Sequence, residues 1–489
     1  MAAFRAVRAS GSAYVFRGQV VLIVVVMVAV WLPPSGLALD LVSYADLVLR
    51  HSDTAWNIQD SLVGRQLDLE LAENQYEIQW VPLVSLGVQQ GTGSQTFGIE
   101  AQRQTTIGPR ITAGIRGDQR FSDEFVLRDS HSVSAYLRVS QGLFRRWGEK
   151  YVRAPLTRAE LAAERERISA LRRQQDLLLS AVQTFQSAVL SAMLVERTGQ
   201  AMERAQANVE VARSRQSVGL VSKVDVYRAE LALLTAEDNF RAQERNHVRD
   251  VEALYELIRR SPDGRLQPGS EIGVMVPVLP DDWEQELLDY RLDWQAHLVD
   301  RRLNSLAIHV AQRDTQPDVR LSVEVSQRGL GDRFDEAARS GDGDWAILLN
   351  LQSPLGNVRE RTALTRELTN SNRLARDEEA LNRRIRRETR EAWEDVLAED
   401  RRREIVRQRL EQAASALELA QMRYERGLSD NIDVLDAELA FSDAEMDVAR
   451  VQINYNLATV RLAHAVGILD LDWLSLALDA GRSAKGGLP

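Results

Sequence analysis

The chain carries one short segment twice, and this duplication is the strongest constraint on its fold. Residues 215–237 read RQSVGLVSKVDVYRAELALLTAE, and residues 423–445 read RYERGLSDNIDVLDAELAFSDAE. At a constant offset of 208 positions, both copies contain a Gly-Leu pair, a later Asp and an Ala-Glu-Leu-Ala run. Glycine tolerates the left-handed conformation that ends a helix, so each copy predicts two helices joined by a tight corner. An internal repeat also predicts that the rest of each half has a counterpart in the other.

Each half also predicts strands between its helices. A helical pattern stops at Pro82 in the first half and at Pro317 in the second, as proline commonly follows a helix end. Beyond each proline, apolar residues alternate with polar ones, as in 133–141, 318–327 and 345–352. Such alternation is typical of a strand with one apolar face. The polar face would meet bulk water in a soluble sandwich or a wet lumen in an outer-membrane barrel, and periodicity does not separate the two.

Very long helices flank the predicted strands. The expected helices lie at about 42–80, 153–217 and 223–260 in the first half and at about 282–314, 357–426 and 431–466 in the second. From Ile168 to Ala192 the apolar positions step alternately by three and four residues, which is a coiled-coil heptad pattern. A helix of about 65 residues is about 100 Å long. The simplest interpretation is two antiparallel coiled-coil hairpins whose tips are the Gly-Leu corners.

The N-terminus predicts a secretory signal peptide. A head containing arginines precedes an apolar run from Val20 to Leu32, and small residues follow at Gly36 and Ala38. We assign residues 1–38 to the signal peptide, with cleavage after Ala38, and a retained anchor is the alternative. No other stretch approaches the length of a spanning helix, so membrane insertion would have to use strands.

The number of strands predicts an assembly. Two strands per half give four per chain, whereas a transmembrane barrel needs at least about eight and leaves no edge open to lipid. Several copies must therefore share one barrel. The first half has additional residues that contain 94–102 and 108–117, which predict an extra hairpin near 94–116. For this hairpin we expect an extracellular or rim loop rather than further barrel strands.

Composition excludes several functions. The chain has no cysteine, which excludes disulfides, thiol catalysis and an N-terminal lipidated cysteine. A net charge of −10 without a basic arm disfavours nucleic acid. The acidic stretch at 339–346 fits a hairpin tip better than a calcium loop, and we expect no metal or cofactor. Since no catalytic set is evident either, we do not expect an enzyme.

The chain resembles the TolC family of outer-membrane efflux channels. The resemblance rests on VSQGLF and LQSPLG at strand ends, on the corners VGLVSKVDV and RGLSDNIDVLDAE, and on the duplicated order of helices and strands. It implies a homotrimer in which a 12-stranded β-barrel continues as a long periplasmic α-helical coiled-coil barrel. The expected repeats are 39–270 and 271–475, followed by a disordered tail at 476–489.

The resemblance also implies a function. The family forms the passive exit duct of tripartite efflux pumps or type I secretion systems in the outer membrane of Gram-negative bacteria. An inner-membrane transporter supplies the energy, and a periplasmic adaptor contacts the helical tips. The alternative from the residues alone is a periplasmic coiled-coil adaptor or scaffold without a pore. A non-exporting porin would need more strands per chain.

Finally, the resemblance assigns a periplasmic gate to the second corner. Asp433 and Asp436 match the family's inward-facing carboxylates; lying three residues apart, they share a helix face. Tyr424 and Asp225 match the partners that tether the gate. Ser429 stands where the family has a basic residue, so we hypothesise a looser lock.

Two questions stay open at the corners. Lys223 or Arg426 could replace the missing charge, and the aspartates could instead serve as helix-capping acids, since acids favour the first helical turn. The corners themselves are expected to be turn residues and adaptor-docking tips: Gly219, Leu220, Val221, Ser222, Gly427 and Leu428.

Overall fold

The computed structural model describes residues 40–89, 92–122, 130–261, 273–280, 283–352 and 356–486. The predicted signal peptide lies outside these residues. The first half contains α1 (Leu41–His51), α2 (Asp53–Asn74), β1 (Gln79–Gln89), β2 (Thr92–Gln104), β3 (Arg110–Ser122), β4 (Ser130–Gly142), α3 (Glu149–Val152), α4 (Ala154–Ser217) and α5 (Lys223–Leu257). The second half contains α6 (Leu287–Tyr290), α7 (Leu292–Asp314), β5 (Asp318–Gly331), α8 (Phe334–Arg339), β6 (Asp342–Gln352), α9 (Val358–Glu425), α10 (Asn431–Val466) and α11 (Leu471–Gly486).

All six described strands form one antiparallel sheet in the order β1-β2-β3-β4-β5-β6. The first half contributes four of these strands, so the expected two strands per half are found only in the second. The extra hairpin near 94–116 is not a rim loop, because β2 and β3 pair along their lengths with each other and with β1 and β4. The sequence indicated a loop here because glycines such as Gly98, Gly114 and Gly117 weaken the alternation of apolar and polar residues.

Pro82 does not mark the boundary that the sequence indicated. The first helical region breaks at Ser52, whose side chain accepts a hydrogen bond from Ala55 N, and it ends at Asn74. The strand then begins before the proline, which lies inside β1. A proline is tolerated there because β1 is an edge strand of the sheet, where one side of the backbone has no partner strand within the chain.

The long helices α4 and α9 form the frame of the helical part. They contain 64 and 68 residues, which corresponds to about 95 and 100 Å. In the half nearer the sheet, α2 packs on α4, α4 on α7, and α7 on α9. In the distal half the order becomes α5, α4, α10 and α9. Each long helix therefore extends past two shorter helices, as the repeat predicts.

The largest apolar core lies where α1, α4, α10 and α11 meet. Tyr44, Val182, Ala463 and Leu474 are fully buried in this cluster. The expected disordered tail at 476–489 is therefore wrong for its first part, because α11 continues to Gly486 and Ala477 is buried in the core. The apolar face of α11 was missed because the helix is short and lies beyond the repeat.

One helix is apolar enough to meet the length and composition requirements of a membrane span. This helix is α4, and half of its most apolar window is buried inside the protein. The burial identifies α4 as a core helix of the bundle. The sequence-based statement that no stretch beyond the N-terminus approaches a span was too strict.

Candidate gate at the helical tips

The two Gly-Leu corners have the same backbone structure. Gly219 has φ +79° and Gly427 has φ +72°, so both occupy the left-handed region. In the first corner, Leu220 N donates to Arg215 O at 2.9 Å and Gly219 N donates to Gln216 O at 3.0 Å. The second corner repeats both bonds between its equivalent residues, at 2.8 and 3.0 Å. This pair of bonds is the Schellman motif, which ends a helix at glycine.

Both corners expose their leucines. Leu220 is 73% exposed and Leu428 is 66% exposed, and Val218 beside the first corner is also exposed. An apolar side chain at a projecting tip is typical of a contact surface. The expected tip residues Val221 and Ser222 follow directly, and Ser222 is the N-cap of α5.

The acid of the first corner is engaged within its own helix. The Asp225 carboxylate accepts hydrogen bonds from Ser222 N at 3.0 Å and from Ser222 Oγ at 2.7 Å, and Ser222 Oγ accepts one from Asp225 N. This reciprocal arrangement is a capping box. The bonds from Ser222 hold the pKa of Asp225 below its usual value. Asp225 is thus a capping residue, which was the alternative left open by the sequence.

The acids of the second corner are free. The N-cap of α10 is Asp430, whose side chain makes no capping bond. Asp433 and Asp436 are both exposed, and within the described part of the chain neither carboxylate forms a hydrogen bond or an ion pair. Capping therefore does not account for them. The i, i+3 spacing places both carboxylates on one side of the helix.

The tether between the two hairpins is formed by a residue that the sequence analysis did not select. Arg215, at the end of α4, donates from Nη1 to Tyr424 O at 2.6 Å and from Nη2 to Glu425 O at 3.1 Å. Its guanidinium also lies 4.2 Å from the centroid of the Tyr424 ring. The signal was available, because Arg215 and Arg423 occupy the same position in the two copies of the repeat.

Tyr424 and Asp225, the two residues expected to tether the gate, form no hydrogen bond with each other. Tyr424 is buried, and its Oη has no hydrogen-bond partner among the described residues. Burial raises the pKa of Tyr424, an effect that nearby Arg215 opposes. Neither Lys223 nor Arg426 forms an ion pair in the part of the chain that the structure describes. The positive charge that binds this corner from the other hairpin is therefore that of Arg215.

Three polar groups at the second corner are buried without a partner among the described residues. They are the Tyr424 hydroxyl, the Ser429 hydroxyl and the side-chain amide of Asn431, which is 1% exposed. Unpaired buried polar groups cost about 1–3 kcal/mol each. The described residues of the first corner, Arg215 to Glu230, have no such group. The second corner is therefore the less satisfied of the two.

A second set of contacts joins the hairpins above the tips. Arg204 of α4 pairs with both Glu438 and Glu445 of α10, and its guanidinium lies 5.3 Å from the centroid of the Phe441 ring. Arg197 also pairs with Glu445, at 3.2 Å. In the first copy of the repeat, Glu230 pairs with Arg213 of the same hairpin at 2.7 Å, and Glu237 pairs with Arg241 on its own helix.

Comparison with known proteins identifies the family. Residues 283–468 match the family described as outer membrane efflux protein, and the match covers α7, β5, β6, α9 and α10. Residues 283–468 thus carry an outer membrane efflux protein domain. This match bears out the predicted family, with its efflux function and outer-membrane location, over the second half of the chain. No curated protein matches the sequence of this efflux protein.

Solved structures extend the likeness over both halves. The efflux protein is similar to the outer membrane protein VceC from Vibrio cholerae, with 17% identity and a TM-score of 0.67 over 87% of this chain and 96% of that one. It is also similar to the Neisseria gonorrhoeae MtrE channel, with 15% identity and a TM-score of 0.67 over 88% of this chain and 89% of that one. The Campylobacter jejuni CmeC channel shares 13% identity and a TM-score of 0.66, over 90% of this chain and 89% of that one. These likenesses confirm a barrel continued by a helical barrel as the fold class.

Proposed function

We propose that three copies of this efflux protein form one exit duct, through which substrates delivered by an inner-membrane transporter leave the cell. The observation that carries the proposal is the pair of open flanks on each chain. Along one flank, α5, α2 and β1 have no neighbour on their outer side within the described chain, and along the other flank α9 and β6 have none. Each flank extends through the helical part into the sheet.

The two flanks can pack against each other in neighbouring copies, because both expose apolar side chains. On the first flank, Leu67 and Leu231 are more than half exposed, and on the second flank Ile405 is. Contacts between two different surfaces of identical chains build a ring when the rotation closes. A trimer is the assembly that outer membrane efflux channels adopt, and in it each flank would be covered by the next copy.

The free carboxylates give the distal end a gate. In a trimer, Asp433 and Asp436 of each copy would place six carboxylates around the aperture at the tips. Like charges ~6 Å apart repel by roughly 3 kcal/mol per pair at an effective dielectric of ~20. A closed aperture therefore needs a tether, and Arg215 provides it on Tyr424 and Glu425. This tether replaces the looser lock that Ser429 suggested.

The exposed corners are where we place the adaptor. Leu220 and Leu428 would enter an apolar contact with a periplasmic adaptor protein, which connects the duct to the transporter. Opening would break the Arg215 tether and would let water reach the unpartnered groups of Tyr424 and Asn431. Hydration of these groups offsets part of the cost of opening.

The experiment is to purify the protein from membranes, determine its mass in detergent and record conductance after reconstitution. The proposal predicts three copies per particle and a low conductance that rises in the Arg215→Ala variant. A soluble monomer without conductance would support the alternative of a periplasmic scaffold and would contradict the proposal. Leu428→Asp supplies the docking test: it should abolish export in cells while leaving conductance unchanged.

A further inference from the structure

The β2–β3 hairpin belongs to the wall of the sheet. In the strand register Ile99 lies opposite Ile115, Ala113 lies opposite Leu137, and Leu137 lies opposite Val325. These rows continue from β1 to β6 without interruption. The register brings most of the large apolar side chains of the six strands to one face, among them Trp80, Val84, Ile99, Ile115, Leu137, Val325, Ile347 and Leu349.

The opposite face is mainly polar, with Val81, Leu83, Leu330 and Leu348 as apolar exceptions. On this mainly polar face, Ser132 is 6% exposed and Ser322 is 8% exposed, whereas Leu137 on the apolar face is 48% exposed. The more crowded face of a curved sheet is its concave face. Apolar residues outside and polar residues inside are the arrangement of a transmembrane barrel.

Contacts on the polar face fix the hairpin to the remainder of the wall. Tyr136 of β4 donates a hydrogen bond to Glu100 of β2, reaching across β3 at Gly114. A Cβ atom at Gly114 would lie 2.8 Å from Tyr136 Oη, so glycine is required for this crossing. Thr96 Oγ1 also donates to Asp118 at 2.7 Å between β2 and β3. A loop that folded back from the rim would lose these bonds.

The two edge strands are complementary in direction. Because the sheet is antiparallel and contains an even number of strands, β1 runs away from the helices and β6 runs back toward them. An antiparallel pair would therefore form if β6 of one copy met β1 of the next. Both edges are lined by exposed apolar residues, such as Val84 and Leu349, and an edge of this kind cannot stay unpaired in lipid.

We propose that β6 of each copy pairs with β1 of the next, so that three copies close a barrel of eighteen strands rather than twelve. This inference rests on the trimer proposed above, but the six strands per chain are independent of it. Barrel diameter grows with strand number: ~4.8 Å between strands tilted by ~40° gives ~36 Å between backbones for eighteen strands and ~24 Å for twelve. The outer exit is then wide, and the tip gate becomes the narrowest point.

The test uses the absence of cysteine, which allows single labels without background. A bimane fluorophore is attached to Ile99→Cys or Ile115→Cys on the hairpin, to Leu137→Cys as the apolar-face control, and to Thr112→Cys as the polar-face control. Each variant is reconstituted in vesicles with nitroxide-labelled lipids or with iodide in the water. We expect lipid quenching of the hairpin labels to match that of the Leu137 control and to exceed iodide quenching severalfold, with the reverse for Thr112.

The outcomes separate this inference from the proposed function. Iodide quenching at both hairpin positions in an intact trimer, with lipid quenching at Leu137→Cys, would make the hairpin a rim loop and would overturn the eighteen-stranded barrel. Particles of another copy number would instead contradict the trimer, whatever the labels report. Electron cryo-microscopy of the trimer then counts the strands directly, and twelve strands in the wall would also refute the inference.

Discussion

The first and second corners of this efflux protein have the same backbone and use their duplicated acids differently. In the first corner, Asp225 caps its own helix through Ser222. In the second corner, the carboxylates of the equivalent Asp433 and of Asp436 form no hydrogen bond or ion pair in the described part of the chain. Duplication preserved the turn because glycine and the Schellman bonds define it. The nearby acidic residues do not define the turn, so their contacts could differ between the two corners.

The duplicated glutamates diverge in the same way. Glu230 and Glu237 bind arginines within the first hairpin, whereas Glu438 and Glu445 bind Arg204 of the other hairpin. The first hairpin is thus internally satisfied, and the second is held by contacts from its neighbour. This difference teaches that the first hairpin is the fixed element and that the second is the one able to move.

Removing the tether should have the largest effect. Arg215→Ala deletes two charged hydrogen bonds and a cation–π contact, which together should favour opening by about 2 kcal/mol, or about 30-fold in the open-to-closed ratio. Single-channel recording measures the open fraction. Arg423→Ala, at the equivalent position of the other copy, is the matched control and should leave it unchanged. Equal effects of both variants would remove the asymmetry between the corners.

Removing the ion pairs that Arg204 forms with Glu438 and Glu445 should have the second largest effect. Arg204 is 29% exposed and holds two partly buried carboxylates, so Arg204→Ala should destabilise the tip of α10 by about 1–2 kcal/mol. Arg213→Ala breaks the matching pair of the first hairpin, where Arg213 is 62% exposed, and should cost less than about 0.5 kcal/mol. Amide hydrogen exchange in α10 and α5 reports the free energies. A larger loss in α5 would reverse the assignment of the movable hairpin.

The free carboxylates should set ion selectivity. One unit charge interacts with a cation ~6 Å away in water by about 0.7 kcal/mol, so changing Asp433 and Asp436 to Asn should lower the cation-to-anion permeability ratio about threefold or more. Reversal potentials in a salt gradient measure this ratio. Asp225→Asn is the control in the first corner and should leave selectivity unaltered. If selectivity dropped only in the Asp225→Asn control, the aspartates that line the aperture would be those of the first corner, which would contradict this account.

The smallest expected difference between the two corners is in the stability of the first turns of α5 and α10 at low pH. Because the pKa of Asp225 is lowered in the folded protein, its capping contribution is fully present above its usual pKa and is lost as the pH falls below about 4. Amide exchange in the first turn of α5 should therefore accelerate below that pH. The first turn of α10 lacks a capping bond and should show no matching acceleration; parallel behaviour in both turns would contradict the comparison.

The sequence predicted the features that rest on local patterns. The corners followed from glycine and from the repeat, the long helices from the heptad stepping, and the strand faces from alternation. The strand count was missed because glycines such as Gly114 interrupt the apolar pattern, and their purpose depends on Tyr136 and Glu100, which are distant in sequence. Arg215 was missed because its partners are backbone carbonyls of Tyr424 and Glu425, and carbonyl positions are not visible in a sequence.

A single cysteine at the second corner tests the central claim most directly. The account predicts that Asp433→Cys in the membrane-bound protein forms disulfides between copies that reduce the conductance reversibly, because these positions meet around the aperture. Asp225→Cys should form none. Disulfides at position 225 as readily as at position 433, or none at 433 in an intact trimer, would contradict a gate formed by the second corner.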